Sequence, residues 1–152
     1  MEILLNILSA VAIAGLSSWI TVYLSLKKFR TEKWWEKKAE AYSNLVGVIH
    51  DAKAFAEKNL TASSRNRELS EEEDSDLRAK SCKAESEIYR AMDVGAFYLS
   101  EVAIECLKKY KKESSEAGQE KSWVHYLVED FDATDKCLQS VIKIARSDLQ
   151  VK

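Results

Sequence analysis

Ile3 to Leu26 is a run of 24 residues without one side chain charged at neutral pH. As a helix rising about 1.5 Å per residue it reaches about 36 Å, enough to cross a hydrocarbon layer of about 30 Å with some tilt. The run predicts a transmembrane helix, because a segment in lipid must satisfy every backbone polar group internally. Ala12-Ile13-Ala14 has the form of a signal-peptidase site. No basic segment precedes it, however, and the apolar run continues well past it, so a retained anchor over residues 1–26 is expected.

Whole-chain averages conceal this division. The 152 residues are 46% hydrophobic and 32% charged with a net charge of −2, which would suit one soluble domain. Residues 1–26 carry one charge, Glu2, and the remaining 126 residues carry the other 47. A basic juxtamembrane segment, 27–38, holds six cations and two anions, and the part beyond it has 17 basic and 22 acidic residues. Proline is absent and only four glycines occur, which favours long helices. The acidic balance beyond residue 38 argues against a nucleic-acid partner.

Basic residues flanking a span stay on the cytoplasmic side. The expected topology is single-pass, with the amino terminus outside and residues 39–152 cytoplasmic. Lys27, Lys28, Arg30 and Lys33 are expected to contact anionic lipid head groups. Within the span, Asn6, Ala10, Ala14, Ser17, Ser18, Thr21 and Ser25 fall inside about 120° of a helical wheel. Small and hydroxylated residues on one face let helix backbones approach and hydrogen-bond in lipid, so these seven form a candidate helix-helix interface and point to a homo-oligomer.

The rest reads as an all-α, antiparallel bundle of three to four helices into which the membrane helix continues. Trp34, Trp35, Tyr42, Leu45, Val46, Ile49, Ala52 and Ala56 recur at spacings of three and four, giving a helix over 31–58 with both tryptophans in a domain core. Polar residues 59–70 predict a loop, and Ser70 with Glu73 forms a capping box opening a helix to about Met92. Gly95 marks a hinge, Ser100 caps a third helix ending near 108–112, 114–118 is a loop, and a last helix covers about 120–149.

The junction from Phe29 to Tyr42, with Trp34-Trp35-Glu36-Lys37-Lys38-Ala39-Glu40-Ala41-Tyr42 at its centre, resembles a group of small bacterial proteins with one membrane helix and a helical cytoplasmic domain. Asp93-Val94-Gly95-Ala96-Phe97 and Asp135-Lys136-Cys137-Leu138 are similar to later segments of that group. The resemblance implies architecture and inner-membrane location and supplies no site residues. The layout is also similar to that of membrane effectors in bacterial defence systems.

Enzymatic chemistry finds no support in the motifs. Cys82, Cys106 and Cys137 are odd in number and widely spaced, which reads as reduced, helix-packed thiols rather than a zinc site. His50-Asp51 has the form of a phosphohydrolase dipeptide, yet the only other histidine is His125. Glu129, Asp130, Asp132 and Asp135 lack the glycine and distal glutamate of a calcium loop and read as a solvated acidic face. No cofactor and no catalytic or metal-binding residue is expected. Two functional readings follow: a non-enzymatic scaffold that self-associates or binds a protein partner through its bundle, and an oligomerising, pore-forming effector.

Overall fold

The computed structural model describes residues 2–117 and 122–150, with side chains described over 15–116 and 122–150. Within them the fold is all-α: α1 (Glu2–Ser64), α2 (Glu71–Asp93), a 3-10 turn (Gly95–Phe97), α3 (Glu101–Ala117) and α4 (Trp123–Asp148). Two compact units divide the chain, 1–37 and 38–152.

The second unit is a four-helix bundle. Tyr42, Leu45, Ile49 and Ala52 of α1 meet Ala84 and Ile88 of α2, Ala103, Leu107 and Tyr110 of α3, and Val141 and Ala145 of α4 in one apolar core. Each fully buried large side chain contributes about 1.5–3 kcal/mol through removal from water. Phe55, Ala56, Leu77 and Leu127 form a smaller cluster. Its edge carries the Trp123 ring, edge-on to Phe55 at 6.2 Å and stacked on Tyr126 at 5.4 Å.

Helix α1 overruns the expected loop at 59–70 and ends at Ser64. Its polar residues fold back onto the helix: Asn59 donates to the Phe55 carbonyl, Thr61 to Glu57 and Ser64 to Thr61. Buried Ala62 supplies the packing that an isolated polar segment lacks. The helix stops where Asn66 takes a left-handed φ of 51°, and the Arg67 amide bonds back to the Ala62 carbonyl at 3.0 Å. Asparagine is one of the few residues that tolerates this cap at low cost.

The expected capping box is present, with Ser70 accepting from the Glu73 amide while the Glu73 carboxylate accepts from the Ser70 amide. Ser100 accepts from the Ala103 amide at 3.3 Å and so caps α3. Helix α3 runs to Ala117, past the loop expected from Ser114, and α4 is capped by Ser122. Gly95 is needed for close approach: a Cβ there would lie 2.8 Å from the Leu99 side chain.

Two core assignments require correction. Trp34 and Trp35 belong to the first unit and are each 52% exposed, so neither enters the bundle core. Their three-and-four spacing continues that of the true core residues, which is why the pattern absorbed them. Asp130 leaves the expected solvated acidic face altogether, being buried in α4.

Among the described residues, no helix is long and apolar enough to cross a membrane. The side chains of 3–14, half of the expected span, lie outside those described.

Candidate functional site

In the first unit every described side chain from residue 15 to residue 37 is exposed. Leu16, Trp19, Ile20, Val22, Tyr23, Leu24, Leu26 and Phe29 each leave about half or more of their surface uncovered. Apolar surface of this extent on one helix calls for a covering medium, whether lipid or another helix. Trp19 stacks on Tyr23 at 6.0 Å, and such amphipathic rings suit a membrane boundary.

Of the expected helix-helix interface, Asn6, Ala10 and Ala14 lie outside the described side chains. Ser17, Ser18, Thr21 and Ser25 are exposed. Thr21 donates its hydroxyl to the Ser17 carbonyl at 2.8 Å, so this polar group is already satisfied within the helix. A face of this kind presents small side chains without stranding a donor in lipid.

The expected head-group contacts separate into two sets. Lys27 and Arg30 line a recess of about 380 Å³ together with Tyr23, Leu26 and Thr31. The Thr31 hydroxyl donates to the Lys27 carbonyl, which tightens the turn beneath the recess. Two cations beside an aromatic ring and an aliphatic chain combine charge for a phosphate with apolar surface for the adjoining acyl region. Lys28 and Lys33 instead pair along the helix with Glu32 at 3.7 Å and Glu36 at 2.6 Å. The Lys33 hydrogen bond and charge hold the Glu36 carboxyl below its usual range. Tyr23 and Thr31 were absent from the expected set, although their positions four residues either side of Lys27 place them on its face.

Lys38, last of the basic segment, belongs to the bundle. Its ammonium lies 3.4 Å from Asp148, whose carboxylate also accepts from the Tyr42 hydroxyl. Tyr42 accepts from the Ser100 amide at 3.2 Å, so one buried phenol ties α1 to the start of α3 and the end of α4. Burial, reinforced by the Asp148 hydrogen bond, pushes the Tyr42 hydroxyl's pKa up. At Asp148 burial acts upward, but bonds from Tyr42 and Ser100 and the Lys38 charge hold the carboxyl below its usual range.

The bundle's other polar groups serve packing. Lys53 bridges α1 to Asp135 at 2.7 Å and stands over the Phe131 ring at 4.7 Å. Asp130 accepts from Ser114 at 3.3 Å, and burial pushes its pKa up, with Glu85 adding to the effect. His50 is exposed, as expected, and His125 lies 3.2 Å from Glu129 on the same helix. Among the described residues no group of histidine, cysteine or carboxylate side chains is placed to hold a metal ion.

No protein-family model, curated protein or solved structure matches the chain.

Proposed function

We propose that the protein is a non-enzymatic, membrane-anchored helical scaffold, self-associating through its amino-terminal helix and offering its bundle to a protein partner. The observation that carries this reading is the uncovered apolar surface from Leu16 to Phe29, on a helix whose sequence holds no charged side chain from Ile3 to Leu26. Lipid is the medium that covers such a surface without further protein, and the Lys27 and Arg30 recess then lies where anionic head groups begin. The resemblance of the 29–42 junction to single-anchor bacterial proteins supports an inner-membrane location with the bundle cytoplasmic.

Self-association rests on the small-residue face. The Thr21 hydroxyl, satisfied by the Ser17 carbonyl of its own helix, is compatible with close helix packing in lipid. Crosslinking in isolated membranes tests the reading, comparing wild type with an Ala10→Leu, Ala14→Leu variant. Oligomers in the wild type that are lost in the variant support it. Unchanged crosslinked size in the variant would exclude this face. Induced expression that leaves membrane potential intact fits a scaffold, and its collapse would replace this reading with a pore-forming effector.

A further inference from the structure

The sequence sets Cys106 and Cys137 thirty-one positions apart, and the fold brings them together. Ser114 of α3 donates to Asp130 of α4, and Cys106 and Tyr110 share a lining with Ala133 and Cys137, a descending register that sets α3 and α4 antiparallel with the two cysteines on facing turns. Both line one pocket of about 50 Å³, with Lys109, Lys136 and Ser140 at its wall. Cys106 is half-buried and reachable, whereas Cys137 is buried. Packed helix axes about 8–10 Å apart, with Cα atoms about 2.3 Å off each axis, leave directly facing Cα atoms about 3.4–5.4 Å apart, a range that overlaps the roughly 4.4–6.8 Å a disulfide bridges.

We propose that Cys106 and Cys137 form a peroxide-oxidisable dithiol, with Cys106 the attacking sulfur and Cys137 the resolving one. Hydrogen peroxide is the oxidant the proposal takes, because the recess of about 50 Å³ beside the half-buried Cys106 has room for a molecule little larger than water. The Cys106 thiolate attacks one peroxide oxygen, the O–O bond breaks, and the leaving hydroxide takes a proton to become water. Cys106 is then a sulfenic acid. The Cys137 sulfur attacks it, the S–S bond forms, and the sulfenic oxygen leaves as a second water with the thiol proton. Two thiols and one hydrogen peroxide yield one disulfide and two waters.

The local chemistry matches these roles. The neighbouring Cys137 thiol brings the Cys106 pKa down to about 7, with Ser140 and the Lys109 ammonium assisting and burial and the Glu113 carboxylate opposing. A thiol of that pKa is substantially ionised at neutral pH, and the thiolate is the nucleophile. The same Cys106 contact, together with burial, pushes Cys137 up and keeps it protonated until the sulfenic acid forms.

The test treats the full chain in detergent with hydrogen peroxide, blocks remaining thiols with N-ethylmaleimide and maps the peptides by mass spectrometry. The expected product joins Cys106 to Cys137, leaves Cys82 alkylated and reverts with dithiothreitol. A Cys137→Ser variant should accumulate a dimedone-reactive sulfenic acid at Cys106. Full alkylation of Cys106 and Cys137 after peroxide, or linkage only through Cys82, would overturn the proposal. Because the linkage is mapped in the wild type, a poorly folded variant leaves the test intact.

Discussion

The Tyr42 hydroxyl donates to the Asp148 carboxylate across 106 positions of sequence, and the same oxygen accepts the Ser100 amide. This one phenol closes the end of the bundle where α1 enters, with Lys38 completing the charge balance at Asp148. Tyr42→Phe keeps the ring and strands the partners, so it should cost about 1–2 kcal/mol in urea unfolding at pH 7. The folded Asp148 carboxyl sits below its usual range, so its stabilisation is present above the unfolded pKa and lost as pH falls through the folded one. The wild-type advantage should therefore shrink in acid, and an equal difference at pH 7 and pH 3 would contradict this role.

Asp130 has the opposite sign. Its carboxyl is raised in the fold, so its protonated form is favoured there: stability is full below the unfolded pKa and falls as pH rises through the folded one. Asp130→Asn retains an acceptor for Ser114 and removes the buried charge. The variant should gain on wild type between pH 4.5 and pH 7.5, read as the shift in urea midpoint, whereas a constant difference would show that burial does not govern this group.

Two glycines should respond in opposite directions. Gly47 lies in α1 with nothing within 4 Å of an added Cβ, so Gly47→Ala should gain up to about 1 kcal/mol from helix propensity. At Gly95 the same methyl meets the buried Leu99 side chain at 2.8 Å, so Gly95→Ala should lose about 1–3 kcal/mol by overpacking. Thermal unfolding of both variants checks the pair.

Trp34→Ala and Trp35→Ala should each change bundle stability by less than about 0.5 kcal/mol, because both rings are exposed in the first unit. Core tryptophans would cost about 3–5 kcal/mol. A loss of that size in denaturant unfolding would return them to the core.

These contrasts mark what the sequence makes legible. Local chemistry transferred well: the Ser70 and Glu73 capping box, the Ser100 cap and the Leu45, Ile49 and Ala52 stripe are all where spacing puts them. Periodicity failed at Trp34 and Trp35 because a helical stripe states which residues share a face and leaves open what covers it. It failed at 59–64 because the hydroxyls of Thr61 and Ser64 can serve either a loop or their own helix, and packing of Ala62 decides. Within the candidate head-group site, Lys27 and Arg30 were visible as charges, whereas the diversion of Lys28 and Lys33 to Glu32 and Glu36 depends on side-chain pairing. The meeting of Cys106 with Cys137 is a property of the α3 and α4 register alone.

The proposed anchoring of residues 3–26 in a bilayer is tested most directly by alkaline carbonate extraction of bacterial membranes. The full chain should remain in the membrane pellet, while a chain lacking residues 1–26 should appear in the supernatant. Release of the full chain by carbonate, to the same extent as the truncated one, would contradict the account.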